Sequence, residues 1–341
     1  MSSEAGEVSA VRPFDLQVNG YVGADFSDPE LTLEVCRNAC ERLAADGVGA
    51  ILATVITGPL EQMGACLENL RRHREADPLI AKVIAGFHVE GPFLSPLPGY
   101  VGAHDATSIL PATPEAAARL VDAGGGLVRL MTLAPEGDSR AATTRWLVDQ
   151  GITVSAGHTD CSLDELSAAI DAGLSMVTHL GNGCPIVLPR HENIIQRLLS
   201  RADNLWICFI PDGAHVPWFA LKNYLQMVGL ERTIMVTDAI AAAGLGPGRY
   251  MLAGAEVQVD AEGVARRPGS DNLAGSTITM PRLQHLLQTQ LTLSTDEVRR
   301  VIEWNPGAAL TRERPAPFLP RSLRGTGPGE HAVVRDSRTP R

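Results

Sequence analysis

Four side chains that can bind a metal ion or move a proton follow short apolar runs of this sequence. Glu90 ends VIAGFHVE, while His158 follows ITVSAG and His179 follows LSMVT. Asp238 ends the run IMVTD. One carboxylate and two imidazoles can hold a single divalent cation, and three ligands leave a position open for water. The residue types therefore predict a metal centre with Asp238 beside it.

Such a centre suits the hydrolysis of an amide or ester. A bound cation lowers the pKa of water toward neutrality, so that hydroxide becomes available. Asp238 could take the proton and pass it to a leaving amine, and His104 in a nearby loop could polarise the carbonyl. Each residue alone has a plainer explanation, because an isolated histidine is usually a hydrogen-bonded loop residue and Asp238 could cap a helix. The combination favours the metal centre.

The elements that must position these residues are short runs rich in Val, Ile, Leu and Ala. Nearly continuous apolar character is typical of parallel strands that are buried on both faces. Helical patterns separate the runs, as in residues 161–173, which start with a Ser162–Glu165 capping box and stop at Gly173. The predicted strands are residues 14–18, 49–56, 82–89, 126–133, 151–156, 174–180, 205–210 and 232–238.

Eight strands alternating with helices predict an α/β fold, a (β/α)8 TIM barrel. The alternative is a doubly wound open sheet, although no GxGxxG motif opens a first helix. In a barrel the carboxyl ends of the strands share one mouth, which would bring the four residues together. We expect an N-terminal extension (1–13), a barrel domain (14–310) with a β-hairpin insertion (249–276) that turns near 260–263, and an Arg- and Pro-rich tail (311–341).

The composition excludes several classes of function. The 341 residues carry a net charge of −10, which disfavours nonspecific binding to nucleic acid or to an anionic membrane. No apolar run is long enough to span a bilayer, and the first residues lack the pattern of a signal peptide. The six cysteines are scattered without a CxxC pair, so we expect reduced thiols in a cytoplasmic protein.

The motifs together resemble the N-acetylglucosamine-6-phosphate deacetylases of the amidohydrolase superfamily. The resemblance spans about residues 14–310 and rests on DLQVNG, GFHVEGPF followed by GAH, VSAGHT, THLGNG, PDGAHV, VTDA, NLAGS and WNPGAAL, in the family's order. It implies a TIM barrel that uses a divalent metal, commonly zinc. The implied reaction removes acetate from an N-acetyl amino sugar phosphate, with N-acetylglucosamine 6-phosphate as the default substrate.

The resemblance also implies roles for individual residues. Gln17-x-Asn19 stands where many amidohydrolases carry His-x-His for a second metal, which implies one tightly bound ion here. Arg190 matches an arginine that reaches the phosphate from the neighbouring subunit, which implies a homodimer. The remaining matches are the metal ligands Glu90, His158 and His179, the catalytic acid or base Asp238, the acetamide-contacting His104, and the substrate contacts Asn182, Gly183, His215, Leu273, Ala274 and Gly275.

The chain also departs from the family pattern. Only GEHAVVRD in the tail resembles the family's terminal strand, so the usual small β-sandwich domain is expected to be absent or strongly reduced. GPFLSPLPGYVGA before His104 is longer than usual, and THLGNGCP replaces an aromatic-Asn-Ala-Met sequence. These edited loops leave open a deacetylase of another N-acylated small molecule. A non-catalytic amino-sugar-binding relative and a metal-dependent isomerase or lyase are further alternatives.

Overall fold

The computed structural model describes residues 12–269 and 271–311. Eight of its strands form one parallel sheet in which each strand pairs with the next along the chain. In chain order the strands are β1 (Phe14–Val18), β2 (Gly20–Tyr21), β3 (Ala24–Asp25), β4 (Ala50–Ile56), β5 (Ile84–Glu90), β6 (Val128–Leu133), β7 (Thr153–Ala156), β8 (Met176–Val177), β9 (Trp206–Phe209), β10 (Thr233–Met235), β11 (Gly248–Leu252), β12 (Ala255–Val259) and β13 (Ala265–Arg266).

The parallel sheet, β1 and β4 to β10, closes into a barrel. A parallel bridge joins Val18, the last residue of β1, to Ala239, which follows β10. The amide of Asn19 donates to the carbonyl of Ala239 over 2.7 Å at the same seam. Each of the eight predicted apolar runs coincides with one of these strands, and β5 extends one residue further, to Glu90, so the (β/α)8 prediction is confirmed and the open sheet is wrong.

Helices follow the barrel strands and cover the outside of the sheet. The predicted capping box is present, with Ser162 accepting from the amide of Glu165 and Glu165 from that of Ser162. Gly173 follows this helix with φ of +108°, a conformation that suits a stop at glycine. The helices are α1 (Leu33–Ala45), α2 (Leu60–Ala76), α3 (Pro78–Val83), α4 (Pro114–Ala123), α5 (Ala142–Asp149), α6 (Leu163–Asp171), α7 (Ile194–Leu199), α8 (Trp218–Val228), α9 (Met280–Gln290), α10 (Thr295–Arg299) and α11 (Asn305–Leu310), with a π-helical turn over Arg300–Trp304.

The core has two aliphatic layers because the strands are buried on both faces. One cluster packs the barrel against its helices, and a second fills the barrel interior with residues such as Leu16, Leu130 and Ile234. Helix α11 covers the interior cluster through Ala309 and Leu310. Asn305 anchors this helix by donating to the carbonyls of Leu230 and Thr233 over 2.8 and 2.6 Å. The Asn of WNPGAAL therefore has a structural role far from the mouth.

The segment after β10 forms a small antiparallel sheet of β11, β12 and β13 rather than one hairpin. Its second turn is at residues 260–263, where the amide of Gly263 donates to the carbonyl of Asp260. The sequence did not predict the first turn, at Ala253–Gly254. This sheet packs on Ile56 at the end of β4. The described residues contain no β-sandwich, and the predicted tail strand and the first eleven residues lie outside them.

A membrane-spanning helix would need a long apolar stretch. None of the helices in the described part of the chain has the length and apolar character to cross a bilayer.

Candidate metal centre and active site

The carboxyl ends of the barrel strands surround a cavity of about 450 Å³. Three predicted residues lie apart from it. Gln17 is buried behind Glu90, Ala274 packs in the cluster under the small sheet, and Arg190 is exposed on the loop after β8. The predicted residues that line the cavity are Asn19, Glu90, His104, His158, His179, Asn182, Gly183, His215, Asp238, Leu273 and Gly275.

Glu90 stands at the centre of the site, at the end of β5. Both of its carboxylate oxygens accept hydrogen bonds of 3.2 Å from Nε2 of Gln17. The amide of Gln17 is held in turn by Thr178, whose hydroxyl donates to its oxygen over 2.7 Å. Burial raises the pKa of Glu90, but the hydrogen bond and charge of His179, 2.9 Å away, act in the opposite direction, and the pKa lies well below its usual value. Glu90 is therefore a buried carboxylate that stays ionised.

His158 is held in the tautomer of a metal ligand. Its Nδ1 lies 2.7 Å from the carbonyl oxygen of Tyr100, and because a carbonyl can only accept, Nδ1 carries the hydrogen. In neutral His158 the lone pair is then on Nε2. That nitrogen lies 3.5 Å from Oε1 of Glu90, another atom that can only accept. A cation between the two would account for this pairing of acceptors.

His104 has the opposite tautomer. The backbone amide of Thr57 donates to its Nδ1 over 3.3 Å, so the ring hydrogen is on Nε2. Burial and the neighbouring His158 lower the pKa of His104 well below its usual value, and the ring is neutral. Nε2 lies 3.2 Å from Nε2 of His158 and 3.9 Å from Glu90. His104 is therefore a hydrogen-bond donor, as a residue that contacts a substrate carbonyl must be.

His179 completes the candidate ligand set. Its Nε2 lies 2.9 Å from Oε1 of Glu90 and 3.3 Å from Nε2 of His158. By distance alone, Glu90, His104 and His158 form a group whose ligand atoms lie within 4.8 Å of one another. The amide of Thr57 distinguishes the two sets, because it keeps the ring hydrogen of His104 on Nε2. Nδ1 of His179 accepts no such bond from the residues that the structure describes and can take the ring hydrogen when Nε2 binds a cation. The chemistry of the donors therefore favours the predicted set with His179.

Asp238 lies beside this set, beyond the end of β10. Its Oδ1 accepts a 2.7 Å hydrogen bond from Nδ2 of Asn19. Burial raises the pKa of Asp238 to about 6, while the charge of His179 acts in the opposite direction. A carboxyl group with this pKa can accept a proton and return it near neutral pH.

The backbone is strained at three of these positions. His158, His179 and Asp238 have φ values of +50°, +26° and +51°, in a region that residues other than glycine rarely adopt. Such conformations cost about 1–3 kcal/mol each and cluster at functional sites. Each of the three sits where a strand gives way to its loop, so the strain turns a side chain toward the mouth.

Comparison with known proteins agrees with this geometry. No protein-family model matches the chain. The chain is 34% identical over 269 residues to N-acetylglucosamine-6-phosphate deacetylase of Bacillus subtilis strain 168. The alignment covers 78% of this chain and 66% of that protein. It is 32% identical over 282 residues to the Bos taurus protein of the same name, and that alignment covers 80% of this chain and 68% of the relative. The chain thus spans about two thirds of the length of these relatives.

Solved structures show the same similarity. A mutant N-acetyl-D-glucosamine-6-phosphate deacetylase of Mycobacterium smegmatis, in complex with N-acetyl-D-glucosamine-6-phosphate, superposes with a TM-score of 0.79 at 33% identity. The match covers 88% of this chain and 77% of that one. This chain belongs to the N-acetylglucosamine-6-phosphate deacetylase family. The family consists of metal-dependent hydrolases of the amidohydrolase superfamily, and Glu90 with its histidines offers a possible metal-binding group.

After β9, this deacetylase-family chain presents an Asp–His pair, of which His215 lines the cavity. Nδ1 of His215 lies 2.6 Å from Oδ2 of Asp212. Burial raises the pKa of Asp212, but the hydrogen bond and charge of His215 outweigh it, so that the pKa is lowered. Because Nδ1 faces the carboxylate, Nε2 is the ring nitrogen left for a ligand. Asn182 is held nearby by a bond from its Nδ2 to the carbonyl of His179.

Sequence reasoning missed the groups that orient the two histidines. These groups are the carbonyl of Tyr100 and the amide of Thr57. Both are backbone atoms, which leave no signature in residue type. Gly102 was missed as well. Its φ of +61° lies in the left-handed region, which explains why a glycine stands at this position. A Cβ built on Gly102 would lie 2.9 Å from Cε1 of His158.

We therefore expect Gly102→Ala to weaken metal binding. A left-handed alanine costs about 1–2 kcal/mol wherever it is placed. At position 102 the methyl also displaces His158, a predicted metal ligand, and disturbing the orientation of such a ligand costs about 10–100-fold in affinity. Gly126→Ala is the matched control, since its φ is +82° and its Cβ would meet nothing within 4 Å. Metal content after dialysis should fall only in Gly102→Ala; equal retention in both variants would contradict this packing argument.

Proposed function

We propose that this protein removes the N-acetyl group from an amino sugar phosphate, most simply N-acetylglucosamine 6-phosphate, and releases acetate and the free amine. The supporting observation is the lone pair of His158 facing ionised Glu90, with the titratable carboxyl group of Asp238 beside them. The arrangement suits amide hydrolysis, because it joins a cation site to a proton carrier.

Glu90, His158 and His179 would hold one divalent ion, and their N and O donors suit zinc. Gln17 and Asn19 are engaged elsewhere, since their amide groups donate to Glu90 and to Asp238. This favours one ion rather than two. When bound, the ion would acidify water and polarise the substrate carbonyl.

The chain's own residues would carry the proton and orient the amide. Asp238, fixed by Asn19, takes the proton of the attacking water as the oxygen bonds to the acetyl carbon. Nε2 of His104 donates to the carbonyl oxygen and stabilises the negative charge that develops on it. Asp238 then returns the proton to the sugar nitrogen as the carbon–nitrogen bond breaks. The amine and acetate are the products.

The sugar phosphate would occupy the side of the cavity that is lined by Asn182, Gly183, His215, Leu273 and Gly275. Arg190 is exposed on the same loop as Ile186 and Val187, which are 78% and 87% exposed. A second copy of the chain would cover these apolar residues and bring Arg190 to its neighbour's phosphate. We therefore propose a homodimer.

Acetate release by the metal-loaded protein tests this function. The panel is N-acetylglucosamine and N-acetylgalactosamine, each with and without a 6-phosphate. The second sugar is included because the chain is 30% identical to the N-acetylgalactosamine-6-phosphate deacetylase of Escherichia coli O157:H7. Release from a phosphorylated sugar, with much lower kcat/KM without phosphate, would support the proposal. Release without phosphate dependence would favour another N-acylated substrate, and no release from any member would refute it.

The activity should also fall in acid. The proposed base is active as a carboxylate, so protonation of Asp238 removes activity as the pH falls through its pKa. Burial places that pKa at about 6, and a neighbouring cation can only lower it further. We expect the acid limb of kcat/KM to have an apparent pKa of about 6 or below. A profile that loses activity already between about pH 8 and 7 would assign the limb to another group.

A further inference from the structure

A second cavity of about 700 Å³ lies behind the active site. Three residues, Ile56, Gly102 and His104, line both this cavity and the one that contains Glu90 and Asp238. The two spaces are therefore separated by a thin wall. Ile56 contributes the largest aliphatic side chain to the wall, at the end of β4.

The wall is held in place by backbone groups. The amide of Ile56 donates to Oγ of Ser27 over 3.0 Å, and the next amide, of Thr57, holds Nδ1 of His104. Arg267, on the chain after β13, donates to the carbonyl of Ala103 and ties the loop of His104 to the small sheet. These contacts make Ile56 a fixed barrier between the cavities.

The second cavity is lined by polar and apolar groups in similar measure. Its charged side chains are engaged with the protein, since Arg267 donates to the carbonyl of Ala103 and Asp105 accepts from the hydroxyl of Ser108. A neutral aliphatic chain could therefore lie along the apolar part of the lining. The apolar part of the lining includes the side chains of Val55, Pro59, Met63, Cys66, Val101 and Ala253.

Barrel geometry determines which part of a substrate faces this wall. The sugar is assigned to the loops after β8 and β9, where Asn182 and His215 lie. β8 is the sixth strand of the barrel and β4 the second, so Ile56 is on the opposite side of the mouth. The oxygen, the nitrogen and the acyl chain leave the planar carbonyl carbon in three different directions. With the carbonyl oxygen on His104 and the nitrogen toward the sugar, the acyl chain runs toward Ile56.

We infer that the second cavity is an acyl pocket, and that Ile56 closes it so that the enzyme prefers acetyl over longer aliphatic N-acyl groups. This inference rests on the proposed deacylase function and adds its acyl specificity. Removing the side chain of Ile56 should join the two cavities and let a butyryl chain extend past His104.

The test compares the N-acetyl and N-butyryl forms of the best substrate. Wild type should strongly prefer acetyl. Ile56→Ala should raise the butyryl-to-acetyl ratio of kcat/KM at least about tenfold, the scale on which one or two methylenes discriminate in an apolar site. Leu188→Ala is the matched control, because Leu188 lines only the first of the two cavities and the ratio should not move.

A second variant tests whether the gain depends on the cavity itself. Ala255, on β12, lines the second cavity. Ile56→Ala combined with Ala255→Phe should lose the gained butyryl activity and keep acetyl activity. If Ile56→Ala fails to fold, Ile56→Val takes its place. This variant should then raise the propionyl-to-acetyl ratio of kcat/KM, and an unmoved ratio would contradict the inference.

The outcomes separate this inference from the function on which it rests. An unmoved ratio in a folded, metal-loaded Ile56 variant overturns the acyl pocket alone, and so does an equal rise in Leu188→Ala. An inactive wild-type protein overturns the proposed function, and the acyl pocket with it.

Discussion

Asp238→Asn is expected to reduce kcat/KM by about 10²–10⁴-fold, the usual contribution of a general acid or base. The substituted amide can still accept the hydrogen bond from Nδ2 of Asn19 that Asp238 accepts over 2.7 Å. Asparagine also tolerates the φ of +51° at this position better than most residues. The change therefore removes the proton carrier and little else.

Metal content decides between two roles for Asp238. With Glu90, His158 and His179 intact, the variant should keep its metal nearly unchanged. Loss of metal together with activity would make Asp238 a primary ligand and contradict the assignment of a proton carrier. Asp122→Asn, on the exposed face of α4, is the control for handling and charge, and it should behave as wild type.

Glu90→Gln should abolish stable metal binding. Glu90 accepts two hydrogen bonds from Nε2 of Gln17 and lies 2.9 Å from Nε2 of His179. The substituted amide carries no charge to balance a cation, and its NH2 group would face a donor. Removing one partner of a buried charge pair costs about 3–5 kcal/mol, or about 10²-fold to 4 × 10³-fold in affinity.

Thermal unfolding measures this loss without relying on activity. A ligand at about 100 times its Kd stabilises the native state by about 2.7 kcal/mol. Wild type should therefore melt at a higher temperature with metal than after chelation, whereas Glu90→Gln should show one Tm under both conditions. Glu68→Gln, on the exposed face of α2, should retain the difference. A full metal-dependent shift in Glu90→Gln would remove Glu90 from the ligand set.

Much of the fold was predictable because its signals are local. A parallel strand buried on both faces needs a continuous apolar run, and eight such runs became β1 and β4 to β10. Ser162 and Glu165 define a helix start through atoms three residues apart. The small sheet was predicted only in part, because the short turn at Ala253–Gly254 joins two strands of mixed polarity.

The same distinction between local signals and tertiary contacts applies to the candidate site. Residue types and their place after strands determined that Glu90, His158, His179 and Asp238 would meet at one mouth, since the carboxyl ends of all barrel strands converge. Only the tertiary structure decided which histidine keeps a lone pair for a cation. That choice depends on the carbonyl of Tyr100 and the amide of Thr57, which lie 58 and 47 residues from the rings they orient.

The stretch between Glu90 and His104 illustrates this division best. Its sequence showed an edited loop, while the structure shows that the loop's backbone orients His158 and that Gly102 makes room for the ring. The second cavity depends on the tertiary structure in the same way, because β4, the loop before His104 and the small sheet meet only in the folded chain. Sequence determined the chemistry of the side chains. Packing decided their tautomers and the space around them, because both depend on backbone atoms brought together from distant parts of the chain.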